Sequence, residues 1–176
     1  MLGALMDSRR HKFPEGWPAP TEYLTELGRM TALWSSLEAS TTVAYSKLAG
    51  YGEILDMRAV IVTAHMTFQQ RVDAIISLCE HLAPSFSHLD DYETTHKLLK
   101  AAQKARNKFS HNGISYDAAT ASVTVTYATA RASLKLHTEQ IRLADIKEAS
   151  AKIHEAIASL HSLVTGVRRP PIWDRA

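Results

Sequence analysis

Between Lys104 and Ile114 the chain reads KARNKFSHNGI, and Arg106, Asn107 and His111 in it are the residue types that phosphodiester chemistry uses. A histidine changes charge near neutral pH, so His111 can serve as general base or general acid. An arginine keeps its charge and grips phosphate oxygens with a planar fork, which suits Arg106 to holding or neutralising a phosphodiester. Asn107 stands four residues before His111 and is close enough to orient the imidazole or touch a substrate. Together the three could support RNA cleavage without a metal. The base would take the proton of a ribose 2′-hydroxyl, which attacks the adjacent phosphate while the arginine offsets the developing charge. DNA lacks that hydroxyl and could not react in this way.

The surroundings are basic. Lys97, Lys100, Lys104, Arg106 and Lys108 follow one another without an acid, and His96 and His111 flank the run. Helical spacing puts Lys100, Lys104, Asn107 and His111 on one polar face. Lys100, Lys104 and Lys108 are the candidate RNA-phosphate contacts. The same residues also suit a plain helix end. Cations near a helix C-terminus are favoured by the macrodipole, by about 0.3–1 kcal/mol each, and Asn112-Gly113 is a stop signal. Arg106 and His111, five residues apart, lie about 140° from each other on a straight helix. They face one phosphate only if the last turn unwinds at Asn112-Gly113, or if two copies of the chain each contribute a pair across a dimer seam.

These residues need a scaffold, and the hydrophobic periodicity describes one. Residues 1–20, with Pro14, Pro18 and Pro20, show no period and read as an extended lead-in. Leu27, Met30, Trp34, Leu37, Ala44 and Leu48 recur at helical spacing, interrupted by Thr41, so a long amphipathic helix is expected, ended by Gly50 and Gly52. EILDMRAVIVTAHM reads as a short second helix. Thr67 with Gln70 forms a capping-box pattern for a third helix from Phe68 to about Leu82, which buries Val72, Ile75, Ile76 and Cys79 and stops at Pro84. Asp90 or Asp91 is expected to cap the fourth helix, with Leu98, Ala102, Ala105 and Phe109 on its inward stripe. The period then changes to two. Val123, Val125 and Tyr127, and later Leu134 and Leu136, alternate with polar residues, giving an antiparallel hairpin at about 114–137 with ISYD as a third strand. A last helix follows, with Ile146, Ile153, Ile157, Leu160 and Val164 inward. The fold class expected is mainly α: one helical-bundle domain over residues 21–167, a small antiparallel β insertion between the last two long helices, and a basic tail over 168–176 that is loose unless it docks on a neighbour.

Composition agrees with one domain. The chain has 176 residues, 45% hydrophobic and 22% charged, with net charge +2. This is ordinary for a globular protein and too mild, taken alone, to imply nucleic-acid binding. Cys79 is the single cysteine and can form no internal disulfide, which fits a reducing cytoplasm. The first residues hold no apolar run of signal-peptide length, and no segment reaches the length of a membrane span. A cytoplasmic protein with no membrane association is expected.

Other candidates are weaker. His154 and His161 are seven apart, unlike the closer spacing of a metal pair, and read as a solvated or interface face. His81 and His88 have no cysteine partner. Trp34, Met30 and Leu37 read as core or dimer seam, and Arg71 as a surface salt bridge with the motif cleft as the alternative. No glycine-rich phosphate loop occurs. No metal site and no cofactor are expected.

ARNKFSHNG resembles the signature of the HEPN superfamily, which is arginine, a polar residue, a short spacer and histidine near the end of a helix. It is similar in particular to bacterial HEPN-like proteins with an RN…AHG-type sequence. The resemblance is tight over the motif and loose over the helical order of residues 21–165. Arg106 matches the motif arginine, Asn107 the polar residue and His111 the histidine; Asn112 is inserted before Gly113, and Ser110 stands where alanine is common. The resemblance implies a homodimeric helical bundle with the motif lining a cleft at the dimer interface. Many members are metal-independent endoribonucleases of defence, toxin–antitoxin or RNA-processing systems. Others have lost activity and act as binding or partner modules. The expected partner is therefore RNA. The alternatives are a non-catalytic, antitoxin-like module with a cognate protein partner, or a binder of nucleotides or small ligands.

Overall fold

The computed structural model describes residues 16–50, 56–129 and 135–175. Within them the chain forms five α-helices and one three-stranded sheet. The helices are α1 (Thr21–Leu48), α2 (Met57–Ala64), α3 (Phe68–Leu82), α4 (Tyr92–Ser110) and α5 (Leu143–Thr165). The strands β1 (Gly113–Asp117), β2 (Ser122–Thr129) and β3 (Lys135–Ile141) lie between α4 and α5. Most of the expected lead-in, Gly52, the start of the expected second helix, and Leu134 lie outside the described residues.

The long helix α1 packs along α5 and against α3, while α4 packs between α5 and α3. Their shared core holds Met30, Leu37, Ile75, Leu99, Ile153 and Leu160, all essentially inaccessible to solvent. Burying side chains of this size contributes about 1.5–3 kcal/mol each. Cys79 lies in the same core, and burial pushes its thiol up to about 11, so it is a small apolar filler there and a poor nucleophile.

Three details of the periodicity differ from expectation. Thr41 continues the inward face of α1 rather than interrupting it. It is fully buried, and its hydroxyl donates to the carbonyl of Glu38 at 2.7 Å, which removes the cost of burying it. On α4 the deepest residue is Leu99, in line with Thr95, Ala102 and Phe109, while Leu98 and Ala105 sit at the edge of the core. Asp91 occupies the N-cap position of α4, but its side chain makes no capping bond. By contrast, Thr67 and Gln70 form the expected reciprocal capping box at the start of α3.

The sheet is a simple antiparallel meander in the order β1-β2-β3, with Val125 opposite both Ile114 and Glu139. It extends to Ile141, further than the 137 expected. Val123, Val125 and Ile141 join the bundle core. The period-two apolar reading fails on β3, where Leu136 is 73% exposed. The sheet is therefore anchored at one end and projects from the bundle.

The tail is also ordered differently from expectation. It folds back on α5 instead of hanging loose. The Arg169 N–H donates to Ser162 Oγ at 2.8 Å, the Ile172 N–H donates to His154 Nε2 at 2.9 Å, and the Trp173 ring lies 5.2 Å from the His154 ring.

Candidate phosphodiester site at the end of α4

The straight-helix angle between Arg106 and His111 does not apply, because the helix stops first. α4 ends at Ser110, and His111 has φ −116° and ψ 5°, outside helical geometry. Asn112 causes much of this. Its side-chain amide donates to the Lys108 carbonyl at 2.7 Å, satisfying an acceptor that a continuing helix would have used. Asn112 is thus the group that closes the helix. β1 begins at Gly113, two residues beyond His111.

The turn brings the two side chains into contact within one chain. Arg106 Nη1 lies 2.5 Å from His111 Nε2 and 3.2 Å from Asn107 Oδ1. A guanidinium has only donors, so Nε2 must be the acceptor. The contact therefore selects the imidazole tautomer that carries its proton on Nδ1. His111 and Asn107 are exposed, and Arg106 is half-buried. The described strands β1–β3 leave the histidine exposed. Asn107 contacts Arg106 rather than the imidazole, so it orients the guanidinium.

Arg106 is held from below by the core. Its guanidinium carbon lies 5.1 Å from the centre of the Trp34 ring, within cation–π range. Trp34 is buried on α1 and packs on Phe68 with ring centres 4.5 Å apart. Phe68 is the first residue of α3, placed by the Thr67–Gln70 cap. Three helices therefore meet under the arginine. Sequence reasoning read Trp34 only as core or dimer seam; its contact with Arg106 depends on how α1 and α4 pack, which no local pattern encodes. Asn112 had a visible signal, since asparagine is a common residue just past helix C-termini.

The lysines stand apart from this pair. Lys104 and Lys108 line a separate groove between α4, β3 and the start of α5. Lys108 Nζ is 2.9 Å from Glu139, and along the same groove Arg142 pairs with Asp145 at 2.8 Å and Lys152 with Glu148 at 2.7 Å. The hydrogen bond from Arg142 holds the Asp145 carboxyl below its usual range. Lys104 has no such partner among the described residues. Lys100 is exposed and lines neither this groove nor the Arg106–His111 contact.

Arg71 forms the expected salt bridge, with Glu38, but a largely buried one, and it is not part of the pair. Its side chain is 13% exposed and clamps α3 to α1, donating to the Glu38 carbonyl at 3.3 Å and to Thr42 Oγ1 at 3.2 Å, with the Glu38 carboxylate 3.6 Å away. His154 and His161 are half-buried rather than solvated. Among the described residues, no group of three or more His, Cys, Asp or Glu side chains is placed to hold a metal ion, and no helix is long and apolar enough to cross a membrane. Comparison of the chain with protein-family models, with curated proteins and with solved structures finds no match.

Proposed function

We propose that the chain is an RNA-engaging, HEPN-like protein whose Arg106–Asn107–His111 group cleaves RNA without a metal. The observation that carries this reading is the direct contact of Arg106 with His111 at an exposed helix end. An RNA phosphate would compete with His111 for the guanidinium, because charge-assisted bonds to phosphate are stronger than a bond to a neutral imidazole. Once drawn to the phosphate, Arg106 would uncover the Nε2 lone pair. Nε2 would then take the proton of the adjacent 2′-hydroxyl as its oxygen bonds to phosphorus. The P–O5′ bond breaks, leaving a 2′,3′-cyclic phosphate and a 5′-hydroxyl whose proton comes from an acid or water. Substrate binding would thus switch on its own base. A mainly helical fold with a sheet directly after the motif helix supports the HEPN resemblance. Homodimerisation belongs to the same proposal and is supported by the exposed apolar residues Met57 and Ile61 on α2, 67% and 62% accessible.

The test is digestion of a labelled RNA in excess EDTA by wild type, His111→Ala and Arg106→Ala. Cleavage by wild type and its loss in both variants is the expected result; RNA left intact by wild type removes the enzyme reading. A second reading, a non-catalytic module docking a cognate protein, is favoured by the paired charges of the Lys108–Glu139 groove. Alternating charges suit a protein surface better than a phosphate track. The salt dependence of RNA binding separates the two, because phosphate contacts weaken steeply with salt.

A further inference from the structure

The second half of α5, the end of α1 and the folded-back tail line a half-open cavity of about 600 Å³ that none of the motif residues lines. Its volume is that of a small-molecule site. The walls are aliphatic, from Val43 and Ala44 on α1, Ile157, Leu160 and Val164 on α5, and Ile172 on the tail. No Phe, Tyr or Trp lines it, so it offers no platform on which a nucleobase could stack. The charged residues that line it are all cations: Lys47, Arg169 and Arg175, with no Asp or Glu. None of the three is paired with a carboxylate among the described residues. All three line the cavity together with His161 and act electrostatically on it. His161 lines the cavity, is held below its ordinary value first by burial and then by the charges of Arg169, Lys47 and Arg175, and has a buried Nδ1 with no hydrogen-bond partner. A half-open apolar cavity lined by cations without carboxylate partners is complementary to an apolar chain that ends in an anion.

We propose that this cavity binds a single-chain aliphatic anion, with its hydrocarbon between α1 and α5 and its head group at Lys47, Arg169 and Arg175. The tail supplies two of those cations and part of the apolar wall. It is held to α5 by the Ile172 N–H to His154 bond and by the Trp173 ring, tilted against the His154 ring with centres 5.2 Å apart. The ligand site is independent of the motif and holds whether or not the protein cuts RNA.

The full chain is titrated with dodecanoate below its micelle concentration, followed by calorimetry. Dodecyltrimethylammonium, which has the same chain and the opposite charge, is the control. Dodecanoate is expected to bind at least about tenfold more tightly than the cation. Lys47 and Arg169 are exposed, so Lys47→Glu with Arg169→Glu should leave the thermal unfolding curve in place while weakening dodecanoate about tenfold or more. Val43→Trp, which fills the cavity from α1, should weaken both compounds without touching a charge. Equal affinity for the two detergents, or unchanged dodecanoate affinity in the charge-reversed chain, overturns the proposal. So does a face closed by a second copy of the chain, which would appear as a dimer split by the charge reversal and indifferent to dodecanoate.

Discussion

Arg106 Nη1 and His111 Nε2 are 2.5 Å apart, although five residues of straight helix would turn them away from each other. The contact sets the chemistry of the imidazole, because the guanidinium can only donate. His111 should therefore be the Nδ1–H tautomer. Long-range ¹H–¹⁵N spectra at mildly alkaline pH should show a protonated Nδ1 and an unprotonated Nε2. Arg106→Ala should return the ring toward the Nε2–H form. A dominant Nε2–H form in wild type would mean that the pair is not formed in solution.

Asn112 holds the end of the helix and, through it, the direction of His111. Asn112→Ala leaves the Lys108 carbonyl without its 2.7 Å donor. The expected loss of stability is about 0.5–1.5 kcal/mol, measured by urea unfolding. If the cap positions the imidazole, RNA cleavage should fall by more than stability alone explains, at temperatures where the variant is fully folded. Unchanged cleavage would separate the cap from the site.

Trp34 links the core to the motif. Trp34→Ala removes a buried ring that packs on Phe68 and lies beneath Arg106. A cost of about 3–5 kcal/mol is expected from denaturant unfolding. Trp34→Phe keeps a ring under the guanidinium and should recover part of both stability and activity. Equal activity losses in the two variants would show that the aromatic platform under Arg106 is unimportant.

Acid should loosen the α5–tail region. Burial, and then the neighbouring cations, hold His154 and His161 below the ordinary histidine value of 6.5; for His154 the cations are Arg175 and Arg169, opposed by Glu155. The unfolded chain thus takes up protons before the folded one does. Stability from these residues is intact above about pH 6.5 and is lost as the pH falls through their lowered folded values. Protonated His154 also cannot accept the Ile172 N–H. The urea midpoint should therefore fall on acidification, and Trp173 fluorescence should change with it. His154→Asn should flatten both responses; a midpoint that rises on acidification would contradict this sign.

Much of the scaffold was legible in the sequence because periodicity is a local property. The α3 capping box, the stripes of α1 and α5, and the switch from period 3.6 to period 2 after Gly113 all rest on residues close in the chain. The failures share a cause, which is tertiary placement. Thr41 looked like a gap because its hydroxyl is polar, yet the Glu38 carbonyl satisfies it in the core. Leu136 follows the strand alternation, but β3 projects beyond the bundle and leaves it 73% exposed. The motif residues were visible by type. Their convergence was not, since helical arithmetic assumed a helix that Asn112 ends. The separation of Lys104 and Lys108 from the pair was equally hidden, because it depends on Glu139 arriving from β3.

The ends of the RNA products test the central claim most directly. RNA incubated with the wild-type chain in EDTA should yield fragments with 2′,3′-cyclic phosphate and 5′-hydroxyl termini by mass spectrometry. A single 2′-deoxy substitution should block cutting at that position, and His111→Ala should yield no fragments. Cleavage that survives in His111→Ala, or that passes through the 2′-deoxy position, would contradict the assignment of Arg106 and His111 as the reacting pair.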